Sequence, residues 1–404
     1  MSTENLPAAK TPLSPLLDCN AISLSVNTNR PCVLNIKDVQ FTTSGLAAIG
    51  LALEHAGIKT GDEVLLPAYH CEAMIAPVKW RGAKTAFYEI NRDTSIQLDD
   101  IEQRISQNTK AIIVTHYFGF EQDLKAIKNL CENRSITLIE DCAHAFFGLS
   151  SNQPIGTTGD YAIASCMKFL PIYEGGLIAS SKHDLSKLAL SPPNMLFQIK
   201  SALNNLEVAL SYQRLGLAGK LINFGLKLKN RLWTYLKSRR TEQPKPLGPS
   251  SSEGGYDIDE EWIHKSMSIF SKLITRFTPL DSIAEKRRAN YQALDKSLST
   301  LPGCRPLFAT LSEHTVPWVY PLYVENPKKY FTLLKTNGVP LWRFGEFLDP
   351  AVDAETYPLS VEYSQHILQF PCHQSLTPQE LNWLITTITE IFTNKNNDLE
   401  TSSH

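Results

Sequence analysis

The feature that most constrains the fold is a regular alternation of short apolar runs and helical patterns over residues 41–181. The runs are continuously apolar, and turn residues bound them. Strands of this kind are buried on both faces, which is typical of a mostly parallel sheet covered by helices. The pattern predicts strands at 63–66, 84–90, 110–115, 136–140, 161–165 and 177–179, and helices at 44–54 and 123–132.

Changes in composition and apolar pattern along the 404 residues divide the chain into five parts. We predict an N-terminal leader (1–35), a large domain (36–183), a basic helical insertion with a flexible loop (184–258), a connecting helix with a smaller α+β domain (259–393), and a disordered polar tail (394–404). The predicted class is α/β, with the smaller domain at the C-terminal side.

Composition excludes several classes of protein. The net charge of −2 lacks the basic excess of a nucleic-acid-binding domain, and no apolar run is long enough to span a bilayer. The first fifteen residues lack the apolar centre of a secretory signal and are expected to form a loose leader. The eight cysteines form no C-x-x-C pair, which argues against a metal site and against disulfides and indicates a reducing cytoplasm.

Lys168 is the most informative single residue. It follows the apolar strand 161–165, and a Gly-Gly pair begins seven residues later, at Gly175 and Gly176. Glycines permit close approach of the backbone to a neighbouring group, and a buried lysine is costly unless it is paired or used chemically. The alternative is that the strand ends early and that Lys168 points into solvent.

A second candidate is Asp141, at the C-terminal end of the strand 136–140. Ligands of open parallel sheets bind at that edge, and a carboxylate there can pair with a protonated ring nitrogen. His144 lies within one turn of it. The alternative is that Asp141 caps the next helix and that His144 is a satisfied polar residue.

A third candidate is the start of the helix 44–54. The unpaired backbone N–H groups and the positive end of a helix dipole suit a phosphate group. Any capped helix presents the same pattern, so this observation carries weight only beside the other two.

Together these stretches resemble the DegT/DnrJ/EryC1/StrS family of aminotransferases, which are fold-type-I enzymes best known for acting on nucleotide-linked sugars. In that family Glu-Gly-Gly follows a lysine by six residues, as 174–176 follow Lys168. The Gly-Asp pair at 159–160 and the His-Tyr-Phe-Gly sequence at 116–119 also match. The resemblance is dense over residues 40–180.

The resemblance implies pyridoxal phosphate as the cofactor. Lys168 would bind it covalently and then move the proton between the two carbons of the reacting substrate. Asp141 would hold the pyridine nitrogen in its protonated form, and His144 would lie against the ring. No metal is implied.

The resemblance also assigns the phosphate of the cofactor. Ser165 would donate its hydroxyl, and the backbone of Gly45 and Leu46 would supply N–H groups. Relatives usually carry threonine where this chain has Leu46, so one hydroxyl donor is missing from this chain.

Further positions are expected to meet the ring or the substrate. Cys71 replaces the aromatic residue that usually stacks on the cofactor ring, and Tyr69 or His70 could take over its role. Tyr69 is also a candidate contact for the substrate. Arg343 falls in a loop that relatives send over the active site, where it could bind a carboxylate or phosphate of the substrate. The alternative is a surface arginine paired with Glu346.

The predicted function is transfer of an amino group from glutamate or glutamine to a keto sugar, by a cytoplasmic homodimer whose partners are small molecules and not nucleic acids. The basic amphipathic segment 214–240 leaves open a peripheral membrane contact and a lipid-linked acceptor. A sugar dehydratase is less consistent, because such relatives replace the lysine by histidine. A regulator without activity is the non-enzymatic alternative.

Overall fold

The structure is a computed structural model that describes residues 7–23, 30–150, 152–216, 219 and 255–394. Most of the predicted basic segment and nearly all of the predicted tail lie outside these residues.

A seven-stranded sheet forms the large domain, in the order β1–β9–β8–β5–β4–β2–β3. All neighbouring strands pair in parallel except at β9, which runs antiparallel to both β1 and β8. The mostly parallel sheet is therefore confirmed. Its strands are β1 (Asp38–Thr42), β2 (Glu63–Pro67), β3 (Lys84–Tyr88), β4 (Thr109–Thr115), β5 (Thr137–Asp141), β8 (Tyr161–Ser165) and β9 (Gly176–Ser180). A small hairpin, β6 (Leu149–Ser150) with β7 (Gln153–Pro154), lies between β5 and β8.

Helices connect these strands and cover the sheet, whose two faces belong to separate apolar clusters. They are α1 (Gly45–His55), α2 (Glu72–Trp80), α3 (Leu98–Arg104) and α4 (Lys125–Arg134). Ser44 caps α1, because its side chain accepts a hydrogen bond from the amide of Ala47. The sequence pattern correctly located α1 and α4, whereas it did not indicate α2, α3 or β1.

The segment after the sheet is helical but interrupted. Helix α5 (Met195–Ser211) lies inside the predicted insertion. The predicted connecting helix is instead three helices, α6 (Glu260–Ile263), α7 (Ile269–Phe277) and α8 (Leu280–Leu298). Ser268 caps α7, and Pro279 lies between α7 and α8, where its ring disfavours a helical conformation of the preceding residue.

A three-stranded antiparallel sheet, β10 (Cys304–Pro306), β11 (Val319–Val324) and β12 (Ile367–Pro371), forms the smaller domain. Helices α9 (Pro327–Thr336), α10 (Pro358–His366) and α11 (Pro378–Thr393) accompany it. Side chains of α8, α9 and α11 share one apolar core with β11 and β12. The predicted small α+β domain is confirmed.

The N-terminal leader is not a loose segment over its described residues. Leu16 and Leu17 are buried, and Leu16 exchanges hydrogen bonds with the side chain of Ser375. The amide of Lys10 donates to the carbonyl of Gly338 in the small domain. These contacts between distant parts of the chain have no local sequence signature, and composition alone therefore suggested a free leader.

Candidate active site

A pocket of about 370 Å³ opens at the C-terminal edge of the large sheet, between the start of α1 and the small domain. Its walls include Lys168, Asp141, His144, Ser165, Gly45, Leu46, Cys71, Trp318, Trp342 and Arg343. Nearly all the residues selected from the sequence therefore meet in one cavity.

Lys168 follows β8 at the end of a short 3-10 turn, Cys166–Lys168. Its Nζ lies 4.6 Å from the centre of the Trp318 ring. Burial lowers the pKa of Lys168, and the nearby groups Cys71 and Asp141 oppose that shift. The lysine therefore points into the pocket rather than into open solvent, and its amine loses its proton more readily than an exposed one would.

Asp141 ends β5, the strand that pairs in parallel with β8. Its Oδ1 accepts a hydrogen bond from the amide of Ala143 at 2.8 Å, and its Oδ2 lies 3.5 Å from the hydroxyl of Thr115. Burial raises the pKa of Asp141, and the amide of Ala143 and the charge of Lys168 lower it. Neighbouring parallel strands thus bring the two residues to the same edge of the sheet.

The adjacent carboxylate, Glu140, serves the framework instead. It points away from the pocket and accepts hydrogen bonds from the amides of Gly156, Thr158 and Gly159 and from Nε2 of His116. A carboxylate whose oxygens are filled in this way has no free lone pair directed at a ligand. Glu140 fixes the loop before β8, whereas Asp141 is available to a bound molecule.

The start of α1 forms the opposite end of the pocket. Gly45 and Leu46 occupy its first two positions, where backbone N–H groups have no acceptor within the helix. Ser165 lies directly beside them, because a Cβ built on Gly45 would come within 3.3 Å of the Cβ of Ser165. This arrangement of two amides and a hydroxyl suits a phosphate group.

The Gly-Gly pair serves a different contact from the one predicted. A Cβ on Gly176 would lie 2.3 Å from the carbonyl carbon of Ser44 and 2.5 Å from the nitrogen of Gly45. Gly175 has a φ of +140°, and its amide donates to the carbonyl of Thr43. Gly176 therefore admits the start of α1 against β9 rather than a ligand beside Lys168.

Replacing Gly176 by alanine is expected to displace the start of α1, since every atom it would strike belongs to the backbone. We expect a loss of about 1–3 kcal/mol in the free energy of unfolding, together with weaker cofactor binding. Denaturant unfolding and a cofactor titration measure the two effects. Gly50→Ala in the same helix is the matched control, because its Cβ meets the Trp80 ring at an ordinary 3.4 Å. Equal cofactor affinity in both variants would contradict this role.

His144 lies in an aromatic enclosure. Its ring stacks on Trp318 at 4.1 Å between centres and on Phe118 at 5.7 Å, and Phe344 meets it edge-on at 4.6 Å. Burial and the charge of Lys168 lower the pKa of His144, so the imidazole is neutral. Trp318 covers one face of the imidazole, and the buried Nδ1 has no partner among the described residues. That His144 lies against the cofactor ring stays a prediction.

Cys71 lies in the pocket wall, whereas Tyr69 does not. Cys71 lines the pocket, and burial raises its pKa. Tyr69 is fully buried outside the lining, stacked on Tyr117 at 5.4 Å and edge-on to Phe344 at 5.1 Å. Its assignment to the substrate is therefore wrong for the side chain, which supports the loop above it. His70 is also occupied, by the carbonyl of Ala68 and the amide of Asp349.

Arg343 reaches the pocket mouth but already has partners. It pairs with Glu346, and its guanidinium lies 4.6 Å from the ring centre of Phe331. A substrate anion would have to compete with this ion pair, which is partly exposed and therefore weak. Both interpretations made from the sequence thus remain compatible with its position.

Known proteins with similar sequences are aminotransferases, which agrees with this geometry. The model of the DegT/DnrJ/EryC1/StrS aminotransferase family matches residues 34–223. Over these residues the chain is similar to that family. GDP-perosamine synthases from Vibrio cholerae and Escherichia coli O157:H7 are 30% and 35% identical to it over 151 and 153 residues, or 37% and 36% of the chain. The matches span 41% and 42% of those relatives, about two fifths of their length.

Solved structures of aminotransferases share the fold over most of the chain. The aminotransferase TlmJ from Streptoalloteichus hindustanus is 21% identical with a TM-score of 0.59, covering 87% of this chain and 85% of its own. The aminotransferase from Psychrobacter cryohalolentis is 16% identical with a TM-score of 0.60, covering 90% and 89%. At these identities the likeness shows the fold-type-I architecture.

Sequence reasoning missed Trp318, whose ring lies 4.6 Å from the lysine amine. Its one signal was the His-Tyr-Phe-Gly motif of the family. A Cβ on Gly119 would lie 2.4 Å from the carbonyl oxygen of Val316 and 2.9 Å from the nitrogen of Trp318. The amide of Trp318 in turn donates to the carbonyl of Phe118. The motif thus holds the strand that delivers Trp318 to the pocket.

The residues present fit pyridoxal phosphate. A lysine amine can bind its aldehyde, Asp141 can face its ring nitrogen, and the start of α1 with Ser165 can hold its phosphate. The unpartnered Nδ1 of buried His144 offers one more polar contact.

No helix in the described ranges combines the length and apolar character needed to cross a bilayer.

Proposed function

We propose that this protein is a pyridoxal-phosphate-dependent aminotransferase that moves an amino group from glutamate or glutamine to a nucleotide-linked keto sugar, and that it acts as a cytoplasmic homodimer. The observation that carries the proposal is the convergence of Lys168, Asp141 and the start of α1 on one pocket. The names of the relatives, among them a sugar 4-aminotransferase from Saccharopolyspora spinosa, support a keto sugar as the acceptor.

The cofactor, when bound, supplies an electron sink for the reacting carbon. Lys168 then holds the cofactor and carries the proton, a role for which a low amine pKa is suited. Asp141 keeps the ring nitrogen charged. Trp318 and Phe344 are both nearly buried and close the cavity from the small-domain side, which limits the access of water.

A half-reaction screen tests the activity directly. The purified protein is loaded with pyridoxal phosphate and mixed with single amino acids, while its visible absorbance is followed. We expect glutamate or glutamine to remove the colour without any acceptor and a keto sugar nucleotide to restore it. Retention of the colour with every amino acid would reject an aminotransferase.

A second candidate acceptor is a lipid-linked or amphiphilic ketone at a membrane surface. Helices α5 and α7 lie side by side, since the amide of Ile269 donates to the side chain of Gln198. They expose large apolar side chains, namely Met195 (73%), Leu196 (62%), Ile199 (49%), Ile269 (61%) and Leu273 (49%). In the sequence, eight basic and no acidic residues follow over 214–240. Exposed apolar and basic groups together favour an anionic membrane surface.

If this face binds membranes, the protein will float with vesicles containing anionic phospholipid at low salt. The double variant Leu196→Ser with Ile269→Ser should weaken binding by about tenfold or more, because both apolar side chains leave the surface. Val208→Ser is the control, since Val208 is exposed on the side of α5 opposite to Ile199. The candidate is rejected if the protein does not float with the vesicles. If the double variant then also has a lower mass in solution than the unsubstituted dimer, this face is a subunit interface.

A further inference from the structure

Arg287 is a fully buried cation that lies outside the pocket and that the family resemblance does not explain. It stands on α8, on the way into the small domain, and its guanidinium lies 4.4 Å from the ring centre of Phe169. Burial lowers its pKa to about 10, which leaves it charged at neutral pH. Buried charges are costly unless hydrogen bonds replace the lost water.

The hydrogen bonds of Arg287 join two separate segments of the pocket wall. Its Nη2 donates to the carbonyl of Lys168 at 2.7 Å. Its Nη1 donates to the carbonyls of Pro317 and Trp318 at 3.2 and 2.9 Å. The planar fork of an arginine can hold both segments in a fixed relation, whereas the single ammonium group of a lysine cannot.

Gln374, which follows β12, completes the link. Its Oε1 accepts from Nε of Arg287 at 2.9 Å, and its Nε2 donates to the carbonyl of Phe169 at 2.8 Å. Two consecutive carbonyls, those of Lys168 and Phe169, are therefore held by side chains from outside the large domain. The three carbonyls and the amide oxygen that accept from Arg287 are all neutral, so these bonds fix positions without forming an ion pair.

We propose that Arg287 is a positioning residue, which fixes the backbone of Lys168 against Trp318 so that the lysine amine is held over the indole ring and directed into the pocket. This inference rests on the proposed function, because positioning matters only if Lys168 reacts. A displacement of about 1 Å in a reacting group is enough to slow a reaction about a hundredfold.

The test is Arg287→Lys in the cofactor-loaded protein. We expect kcat to fall by about 10- to 100-fold while KM changes by less than about threefold, since the substrate pocket itself is kept. The pH midpoint of the visible absorbance of the lysine-bound cofactor should move by at least about half a unit, because the surroundings of the amine change. Gln374→Leu should shift the same two quantities in the same direction by smaller amounts.

Arg288→Lys is the matched control. Arg288 is the next residue of α8 and also donates to two carbonyls, those of Ser312 and Thr315, but neither residue contributes to the pocket wall. It should keep both kcat and the pH midpoint. The proposal is overturned if Arg287→Lys leaves kcat per bound cofactor and the pH midpoint unchanged. It is also overturned if Arg288→Lys changes these two quantities as much as Arg287→Lys does. If Arg287→Lys does not fold, unchanged values in Gln374→Leu overturn it.

The failure of the proposed function would look different. In that case the unsubstituted protein would show no visible absorbance with pyridoxal phosphate, or would keep its colour with every amino acid, and no variant would be needed to see it.

Discussion

Lys168→Ala is expected to abolish the visible absorbance of the cofactor-loaded protein and to reduce turnover by a factor on the order of 10³–10⁶ with every amino donor. The amine that binds the aldehyde and carries the proton is the same group, so one substitution removes both roles. Lys168→Arg should be equally inactive, since it retains a positive charge but cannot form the covalent bond.

Lys182→Ala is the control for this experiment. Lys182 follows β9 and pairs with Asp160 at 3.0 Å, and it does not line the pocket. Its loss should leave the absorbance and turnover unchanged. Turnover by Lys168→Ala above about one tenth of the normal rate would contradict the assignment of the lysine.

Asp141→Asn is expected to lower turnover by a factor on the order of 10²–10⁴ while the protein stays folded and still binds the cofactor. The amide keeps an acceptor for the N–H of Ala143 but does not hold the ring nitrogen in its protonated state. The measurement combines turnover with the absorbance spectrum. Glu140→Gln is the control, because it should lower stability, through its bonds to backbone amides, rather than change the spectrum.

Asp141→Asn is also expected to change how the stability of the protein depends on pH. Burial raises the pKa of Asp141, so the fold without cofactor holds this proton more tightly than the unfolded chain does, and stability is lost as the pH rises through that raised pKa. Asn removes this loss. Without cofactor, Asp141→Asn should therefore melt higher than the unsubstituted protein at neutral pH, and the difference should shrink in acid. A lower melting temperature at neutral pH would show that the carboxylate stabilises the empty fold.

The large domain could be predicted because its signals are local. Buried parallel strands appear in the sequence as continuous apolar runs. Because two such strands are adjacent, their ends bring Asp141 and Lys168 together, and this can be predicted without knowing the rest of the structure. The sequence also placed the start of α1 correctly, since an N-cap serine and a glycine are visible within a few residues.

The remainder depended on contacts between distant segments. Trp318 and Arg287 reach the lysine from the small domain and from α8, and no short pattern reveals such a contact. Tyr69 was misplaced because the family resemblance gives its position in the chain but not the contacts with Tyr117 and Phe344 that bury its side chain. Gly176 was selected correctly but explained wrongly, since the group it admits is the backbone of the chain itself.

The most direct measurement is to reduce the cofactor-loaded protein with borohydride, digest it and locate the attached pyridoxyl group by mass spectrometry. We expect one modified peptide, with the added mass on Lys168. A pyridoxyl group on any other lysine, or none at all after complete reduction, would contradict it.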